Sequence, residues 1–364
     1  MKSNHRKNIY YWKSDRPYVD GNVQDLDTAH MADLVDQLSN YLSTTFRHDL
    51  IQLKPAGGQG NHITFLAAYP NSTYFVRVEN GPERDDYMDV ESAVLRKVHE
   101  IGIPSPKVFH SDNTRAKVPF AVQVIEYINS KDLNELEKEG RLDMLAITES
   151  IGKYVAQWQQ IAFPGFGLFD PAALLERGVL EGYHTAYRDY FFLNWEMHLD
   201  YLCKKLFLDE KQLAEIKELV GHYQHLLDIP QGCLVHKDLA LWNILGETNA
   251  IHAFIDWSDT ISGDVMDDIS LLGCFHTGRE LMSMLKGYAS VKALPEQYEN
   301  RFWLHLLRNI IFKAVIRVKG NYFSKPDSFF MNNAKSSTDL KTFTLERISI
   351  ACEGLKGKKK IEDL

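Results

Sequence analysis

The stretch CLVHKDLALWNIL, residues 233–245, places polar and charged side chains between two apolar runs. The polar residues are His236, Lys237, Asp238 and Asn243. The flanking runs are apolar enough to be buried, so the polar residues are expected to lie in the interior with them. Burying a carboxylate costs several kcal/mol unless it is paired, hydrogen-bonded or bound to a metal. We therefore expect Asp238 to have a partner or a chemical role.

A second carboxylate follows this loop. Asp256 lies in FIDW, at the end of HAFID, the second of two short predicted strands that the turn GETN joins. Such a hairpin brings Asp238, Asn243 and Asp256 to neighbouring strand ends. Oxygen atoms from Asn243 and Asp256 suit Mg²⁺, which takes one or two protein ligands and leaves its other positions to water and phosphate. Asp238 would lie beside the metal and accept the proton of an attacking hydroxyl group.

The chain ahead of this loop is predicted to form a small α+β lobe. Apolar residues at three- and four-residue steps indicate one helix over 30–46 and another over 84–101, which ends at GIPSP. HITFLAAY alternates as a strand does, and PNS turns it into TYFVRVE. Further strands are predicted near KVFHS, at PFAVQVIEYI and at IQL. This order predicts a five-stranded antiparallel sheet with one helix.

Beyond Ile128 the pattern changes to long helices. They are predicted at about 142–161, 183–204, 209–227, 267–289, 297–319 and 338–354, with strands only at WNIL and HAFID. The predicted organisation is an N-terminal extension with a helix (1–49), a small lobe (50–128) and a large, mainly helical lobe (129–364).

These motifs resemble the aminoglycoside phosphotransferase family, the small-molecule branch of the protein-kinase-like fold. The resemblance rests on VHKDLALWNIL with FIDW and extends to GGQGN, YFVRVE, GIPSPKVF and GDVMDDISLL, over about residues 50–275. It implies an α+β bilobal fold whose small lobe binds ATP or GTP and whose large lobe binds the acceptor. It also implies that Asp238 is the catalytic base, that His236 braces its loop, that Asn243 and Asp256 hold Mg²⁺, and that Asp268 is a structural aspartate.

The small lobe offers candidates for binding nucleotide phosphates. The backbone N–H groups of a glycine turn can lie over phosphates, which makes Gly57, Gly58 and Asn61 of GGQGN candidates. The same glycines would also suit an ordinary tight turn. Arg77 replaces the lysine of the kinase third strand, and its guanidinium would still bind phosphate. The alternative is a rim arginine on an edge strand.

Two further features of this lobe bear on the nucleotide. Glu91, on the following helix, could pair with Arg77 as the helix glutamate of the kinase fold does, or remain a solvated surface residue. The strand AVQVIEYI leads into the connection between the lobes. Glu126, Tyr127 and Ile128 would hold adenine there through backbone groups and apolar contacts, although any edge strand could have this composition.

The acceptor is expected to be a small molecule. Only about ten residues separate Asp256 from the helix that begins near Asp267, and the chain has no A-P-E-like anchor of a protein kinase. The stretch 183–202 offers acidic and aromatic walls for an acceptor, or a helix that packs into the core. Lys237 replaces a glycine common in the related loop, and we expect its side chain to face solvent or phosphate.

Composition narrows the classes of function. A chain of 364 residues that is 45% hydrophobic can bury two domain cores, and its near-apolar runs are too short for a membrane span. We expect no signal peptide and a cytoplasmic location. The net charge of −8 argues against a nucleic-acid partner and slightly favours a cationic acceptor. Four cysteines without a CxxC pair predict buried free thiols.

Two functions remain open. The first is an ATP- and Mg²⁺-dependent transfer of a phosphoryl group to a hydroxyl of an aminoglycoside-like antibiotic or a metabolite. The second is a non-catalytic nucleotide-binding or scaffold protein on the same fold. Arg77 and Lys237 support it because both residues depart from the kinase pattern. The sequence leaves the oligomeric state, monomer or dimer, undecided.

Overall fold

The computed structural model describes residues 5–16, 28–47, 49–57, 62–81, 83–325 and 339–364. The N-terminal part contains a 3-10 turn and helices α1 and α2, and the small lobe follows with five strands and helix α3. Their bounds are His5–Asn8, α1 Trp12–Asp15, α2 Thr28–Phe46, β1 Gln52–Pro55, β2 His62–Tyr69, β3 Ser72–Glu79, α3 Tyr87–Glu100, β4 Val108–Asp112 and β5 Val122–Glu126. The antiparallel sheet has the order β1-β2-β3-β5-β4.

The small sheet is covered on both faces because its side chains alternate. One face packs Phe65 and Val76 against Leu38 of α2. The other face turns Phe75 and Arg77 towards α3. Both the sheet and α3 follow the predicted order, including the strand near IQL. The register places Arg77 opposite Gln123 of β5, which fixes the guanidinium on the α3 side.

The large lobe is mainly helical. Its helices are α4 Leu133–Lys138, α5 Met144–Trp158, α6 Pro171–Arg177, α7 Tyr187–Phe191, α8 Trp195–Lys204, α9 Glu210–Tyr223, α10 Met266–Leu272, α11 Gly278–Ala289, α12 Tyr298–Lys319 and α13 Leu340–Leu355. Helix α12 runs through the centre of this lobe and is buried over most of its length. It packs against α8, α10 and α13.

Two small antiparallel sheets accompany these helices. Their strands are β6 Lys131–Asp132, β7 Ala162–Phe163, β8 Phe166–Phe169, β9 Gly182–His184, β10 Gly232–Val235, β11 Ile244–Glu247, β12 Ala250–Phe254 and β13 Ile261–Gly263. One sheet has the order β7-β10-β13-β8-β9, and the other has the order β12-β11-β6. The hairpin β11–β12 is the predicted one. The prediction of only two strands in this lobe is wrong, since six further strands are present. Each of these is only two to four residues long, too short to show a clear pattern in the sequence.

Two long helices of the prediction are interrupted in the structure. The pattern over 183–204 divides into β9, α7 and α8, with Asn194 in the left-handed region at φ 56° before α8. The pattern over 267–289 divides into α10 and α11. Most aromatic residues of the stretch 183–202 lie in the core, as one of the two interpretations proposed. These buried aromatic residues are Tyr187, Tyr190, Phe191 and Trp195.

Residues 5–16 form what we call the N-terminal strap. Its apolar residues Ile9–Trp12 belong to the hydrophobic core of the large lobe rather than to the small sheet. Tyr10 stacks on Tyr190 with ring centroids 5.0 Å apart, and Tyr11 stacks on Phe312 at 4.5 Å. The strap and α2 therefore join different lobes. The division of the chain after residues 49 and 128 remains our proposal.

Buried hydrogen bonds and ion pairs fasten the strap to both lobes. Asp15 pairs with His198 of α8 at 2.6 Å, and both side chains are 1% exposed. Towards the small lobe, Arg16 pairs with Glu83 at 2.5 Å and Arg6 with Asp85 at 2.6 Å. Buried pairs lose little energy to solvent screening. The strap thus connects the segment just before α3, which contains Glu83 and Asp85, to the helices of the large lobe.

Two predictions about the whole chain concern membranes and thiols. None of the helices that the structure describes combines the length and the apolar character needed to cross a membrane. All four cysteines are free thiols. Cys233, Cys274 and Cys352 are buried as predicted, whereas Cys203 is half-buried.

Candidate active site

The catalytic-loop candidate connects β10 and β11 and is held by His236. This imidazole is fully buried, and its Nε2 donates to the carbonyl oxygen of Ile255 at 3.0 Å. Its Nδ1 accepts the backbone N–H of Asp238 at 3.3 Å. Burial lowers the pKa of His236, so the ring is neutral and each nitrogen has one partner. His236 therefore lies where a residue that braces the loop should lie.

Asp268, at the start of α10, holds the same loop from the other side. Its carboxylate accepts the backbone N–H groups of His236 and Lys237, both at 3.0 Å, and the indole N–H of Trp158 at 3.2 Å. Burial raises the pKa of Asp268 to about 7 in spite of these donors. The three donors fix the backbone of the loop just before Asp238.

The expected exposure of Lys237 is wrong. Its side chain is 0% exposed, and its ammonium donates to both Asp267 oxygens (2.9 and 2.8 Å), to Tyr10 Oη (2.8 Å) and to Asn309 Oδ1 (3.1 Å). The backbone of Lys237 is left-handed at φ 68°, which suits the glycine of the related loop. The lysine adopts this strained backbone conformation, and its hydrogen bond to Tyr10 Oη holds the N-terminal strap in place.

Asp238, the expected catalytic base, has a full set of donors. Lys313 Nζ lies 2.8 Å from Oδ1, and Asn243 Nδ2 donates to Oδ2 at 2.9 Å. Tyr11 of the strap lies beside this ion pair, with its ring centroid 4.7 Å from Lys313 Nζ. Burial opposes ionisation, but Lys313, Tyr11 and His236 outweigh it and hold the pKa of Asp238 below its usual range. The carboxylate is therefore ionised at neutral pH.

The two expected metal ligands meet at the end of the β11–β12 hairpin. Ile244 pairs with Phe254 in that register, and the backbone N–H of Ile255 donates to the Asn243 carbonyl at 2.9 Å. Asp256 follows directly, in the left-handed region at φ 59°, with its side chain 35% exposed. An amide and a carboxylate oxygen at this position fit the preference of Mg²⁺ for oxygen ligands.

No larger metal cluster is present among the described residues. None of their His, Cys, Asp and Glu side chains form a group of three or more that could hold a metal ion. A site built from Asn243 and Asp256 would leave most positions of the ion to water and to phosphate, as is usual for Mg²⁺.

Arg77 connects this hairpin to α3. Its Nη1 lies 2.5 Å from Glu91 Oε2, and its Nη2 lies 3.3 Å from Asp256 Oδ1. Glu91 also accepts the backbone N–H of Trp257 at 3.1 Å. Burial alone would lower the pKa of Arg77, but Glu91 and Asp256 raise it, so the guanidinium stays charged. The buried position excludes the rim arginine and the solvated helix glutamate that we considered as alternatives.

The other nucleotide candidates belong to the small lobe and to the segment that follows it. Gly57, which follows β1, has φ 72°, and its carbonyl accepts the Thr64 hydroxyl at 2.8 Å. A side chain at Gly57 would meet open space, so backbone conformation is what favours glycine there. Gly58 and Asn61 lie outside the described residues.

The connection between the lobes begins where β5 ends. Glu126 closes that strand and accepts the backbone N–H of Lys107 at 3.2 Å, while Tyr127 is 36% exposed. Ile128 accepts the backbone N–H of Ser130 at 2.9 Å. These residues thus form the segment between the two lobes. Their contact with adenine stays a prediction.

The strap packs against the residues around Asp238. Tyr11 is 4% exposed and Trp12 is 4% exposed. The backbone N–H of Trp12 donates to Asp259 Oδ1 at 3.3 Å. Burial and the neighbouring charges of Asp238 and Asp256 raise the pKa of Asp259 to about 7. The strap therefore lies directly against Asp259, three residues after the expected metal ligand Asp256.

The sequence reasoning missed two partners of Asp238. Lys313 lies far along the chain, yet a signal for it exists: from residue 302 to residue 318, α12 is apolar except for His305, Arg308, Asn309, Lys313 and Arg317, which recur at three- and four-residue steps. Such spacing places polar side chains on one stripe of a buried helix. Tyr11 also had a signal, the aromatic run IYYW within an otherwise polar N-terminus.

Comparison with solved structures shows which fold this is. Aminoglycoside phosphotransferase APH(4)-Ia superposes with a TM-score of 0.58 at 15% sequence identity, over 89% of this chain and 98% of that chain. A thermostable mutant of that enzyme, in a ternary complex with ADP and hygromycin B, gives 0.58 at 16%, over 88% and 97%. The streptomycin–ATP–APH(2″)-IIa complex gives 0.54 at 16%, over 91% and 99%. These similarities confirm the predicted bilobal, protein-kinase-like α+β fold.

Sequence comparison assigns the family. No curated protein matches this chain in sequence. The sequence pattern of the phosphotransferase enzyme family, however, matches residues 52–304, from β1 into α12, which is well over half of the chain. That range contains the catalytic-loop candidate, both expected metal ligands and the Arg77–Glu91 pair. This protein therefore belongs to the phosphotransferase enzyme family.

Proposed function

We propose that this protein transfers the γ-phosphoryl group of ATP, with Mg²⁺, to a hydroxyl group of a small molecule. The observation that carries the proposal is the meeting of Asp238, Asn243 and Asp256 at one end of the β11–β12 hairpin, beside the buried Arg77–Glu91 pair. Family membership and the nucleotide complexes of the structural relatives support it.

Each residue has a chemical task in this proposal. Asp238 accepts the proton of the acceptor hydroxyl while the oxygen of that hydroxyl forms a bond to the γ-phosphorus. The bond from that phosphorus to the bridging oxygen breaks, and ADP leaves with the electron pair. Arg77 binds phosphate oxygens through its planar guanidinium. Asn243 and Asp256 would hold Mg²⁺, which neutralises charge on the phosphates when it is bound.

The small lobe would hold the rest of the nucleotide. Gly57, Gly58 and Asn61 would cover the phosphates with backbone N–H groups, and residues 126–128 would receive adenine. GTP is an alternative donor, because both nucleotides carry the same triphosphate. The short segment between Asp256 and α10 supports a small acceptor over a polypeptide.

A second candidate is a non-catalytic nucleotide-binding protein. The observation that favours it is the position of the strap, because Tyr11 lies beside Asp238 where an acceptor hydroxyl would have to bind. Detection of nucleotide binding without phosphoryl transfer to any acceptor would support this second function.

The two candidates are separated by a two-stage experiment. Thermal unfolding is measured first with Mg²⁺ and ATP or GTP, because a ligand that binds the native state raises the midpoint. Transfer of labelled γ-phosphate to a panel of cationic, neutral and anionic hydroxyl compounds is measured next. Transfer by the wild type that Asp238→Asn abolishes supports the enzyme. Equal transfer by both proteins would contradict the assigned base.

A further inference from the structure

A row of cations extends along α12 from the catalytic-loop candidate. Lys313 contacts Asp238, and Arg317 follows four residues later on the same face of the helix. Both cations lie near one aromatic ring: Lys313 Nζ is 5.8 Å and Arg317 Cζ is 6.0 Å from the centroid of Phe275. One turn of helix separates them, a rise of about 5 Å along the axis.

Arg317 is buried without a counter-charge. Its side chain is 1% exposed, Nη1 donates to Thr344 Oγ1 at 2.7 Å, and Nε has no hydrogen-bond partner. Within the ranges that the structure describes, Arg317 makes no ion pair with an Asp or Glu side chain. Burial lowers the pKa of Arg317 to about 10, and the charge of Arg347 adds to this effect.

A second guanidinium lies beside it. Arg347 is 5% exposed and stands three residues after Thr344 on α13, so both face α12. Its Nη1 donates to the main-chain oxygen of Leu364 at 3.1 Å. Burial raises the pKa of the Cys274 thiol to about 11, and the charges of Arg317, Lys313 and Arg347 each act to lower it. Lys313 is neutralised by Asp238, whereas neither arginine pairs with a carboxylate side chain in the described parts of the chain.

A buried cation such as Arg317, which has no counter-charge among the described residues, is costly because its desolvation is not offset. Guanidinium groups bind carboxylates and phosphates through parallel hydrogen bonds. We propose that Arg317, with Arg347 beside it, anchors an anionic group of the acceptor, a carboxylate or a phosphate ester, while the acceptor hydroxyl lies at Asp238. This deepens the proposed function and rests on it.

The net charge of the whole chain led to the opposite expectation, a cationic acceptor. Net charge describes the far field of a protein, whereas affinity for a bound group depends on the charges that touch it. Along α12, away from the carboxylates of Asp256 and Asp259, the charges are those of Lys313 and Arg317, which both lie near Phe275. The acceptor class that fits is a hydroxy acid or a hydroxyalkyl phosphate.

The experiment compares the wild type with Arg317→Gln, Arg317→Lys and the surface control Arg279→Gln. Labelled phosphate transfer is measured with hydroxy acids, hydroxyalkyl phosphates, sugars and amino alcohols. Binding of inorganic phosphate is measured separately by calorimetry at constant ionic strength, with Mg²⁺ and a non-hydrolysable ATP analogue filling the nucleotide site. Circular dichroism and analogue binding confirm that each variant is folded.

We expect anionic acceptors to be phosphorylated, with KM raised about tenfold or more in Arg317→Gln, partly restored in Arg317→Lys and unchanged in Arg279→Gln. Inorganic phosphate should lose affinity in the same order, and an adventitious ion only would bind all four proteins equally. Equal phosphate binding, or preferred transfer to cationic acceptors, overturns the anchor. Transfer to no acceptor, with phosphate binding that still depends on Arg317, overturns the proposed function and leaves the anion site.

A different observation concerns the strap. A general base must lie within hydrogen-bond reach of the hydroxyl that it deprotonates. In this structure Tyr11 lies beside Asp238: Lys313 Nζ, 2.8 Å from Asp238 Oδ1, is 4.7 Å from the centroid of the Tyr11 ring, which is stacked on Phe312. Burial raises the pKa of Tyr11 well above its usual value, so the phenol keeps its proton and acts as a donor. The buried Tyr11 side chain therefore occupies space beside Asp238 that an acceptor hydroxyl would need.

We infer that the strap is a built-in inhibitor, in which Tyr11 takes the place of the acceptor hydroxyl and must leave before transfer. This also rests on the proposed function. The inference explains why Asp15, Tyr10 and Arg16 fasten the segment on both sides of Tyr11. Removal of the Tyr11 hydroxyl frees Asp238 without removing the strap.

Hydrolysis of Mg·ATP with water as acceptor tests this inference in the full chain. We expect Tyr11→Phe to raise the rate about five- to tenfold, Asp15→Asn to raise it in the same direction, and Lys13→Ala, an exposed change in the same segment, to leave it unchanged. Adding Asp238→Asn should abolish the gain. A rate that falls or stays the same in Tyr11→Phe overturns the inhibitory role, whatever acceptor the protein prefers.

Discussion

The Lys313 ammonium and the Asp238 carboxylate form a buried ion pair, with Nζ 2.8 Å from Oδ1 and the two side chains 6% and 14% exposed. The lysine comes from α12, whereas the aspartate lies in the catalytic-loop candidate. The pair joins the proposed base to the central helix of the large lobe. It also supplies a cation that DLALWN, the loop from Asp238 to Asn243, does not contain.

Replacement of Lys313 by Met should impair the proposed base. The cation favours the ionised form of Asp238, so its loss raises the pKa of that carboxyl group. Activity that requires the ionised base falls as pH drops through this pKa, and the acid limb of the pH–rate profile should move to higher pH. At neutral pH we expect kcat to fall about tenfold or more. Lys286→Met, a change of an exposed lysine, should leave the profile in place.

Loss of Lys237 should destabilise the fold. Lys237→Met leaves the fully buried Asp267 carboxylate without its cation, and breaking such a pair costs about 3–5 kcal/mol. Urea unfolding at neutral pH measures this cost. Lys286→Met serves as the control, since exposed pairs contribute about 0–1 kcal/mol. A loss for Lys237→Met no larger than that of the control would show that the buried pair does not support the loop.

The Asp15–His198 pair predicts a pH dependence of stability. Partners lower the pKa of Asp15 from 3.8 to about 2 although burial opposes this, and burial lowers the pKa of His198. Both groups contribute stability that is present above their unfolded pKa values and is lost as pH falls. For Asp15 this contribution is about 2 kcal/mol, lost between about pH 4 and pH 2.

Asp15→Asn tests this dependence. The variant should lose about 2 kcal/mol of unfolding free energy relative to the wild type at pH 7, and the difference should shrink towards zero near pH 2. Denaturant unfolding at a series of pH values measures it. A difference that is constant across the series would show that the ionised Asp15 carboxylate is not what stabilises the strap.

Arg77 should be required for binding the nucleotide and not only for charge balance. Arg77→Met leaves Glu91 buried without its cation, and we expect nucleotide affinity to fall about tenfold or more. Arg77→Lys keeps the charge but loses the planar geometry that reaches Glu91 and Asp256 together, so affinity should lie between the two. Calorimetry with a non-hydrolysable ATP analogue measures this series. Equal affinity in all three proteins would remove Arg77 from the nucleotide site.

The small lobe was predictable because its elements are long and regular. β2 and β3 alternate over eight residues each, and α3 carries a continuous apolar stripe. The catalytic-loop candidate was predictable because Asp238, Asn243 and Asp256 lie close together in sequence. These features depend on local order, which a single sequence reveals.

The remaining features depend on distant contacts. The second five-stranded sheet is built from strands of two to four residues, too short to show a period. Lys237 looked exposed because nothing near it in sequence reveals Asp267, Asn309 and Tyr10 as partners. Tyr11 and Lys313 reach Asp238 from opposite ends of the chain. Their role is visible only once α12 and the strap are packed together.

Phosphoryl transfer by Asp238→Asn tests the assignment of the base most directly. The substitution keeps the size of the side chain and removes the charge that would accept the acceptor's proton. We expect kcat to fall about a hundredfold or more while the affinity for Mg·ATP stays within a few-fold of the wild type. Turnover that is unchanged in this variant, with nucleotide bound equally well, would contradict the role of Asp238 and with it the proposed mechanism.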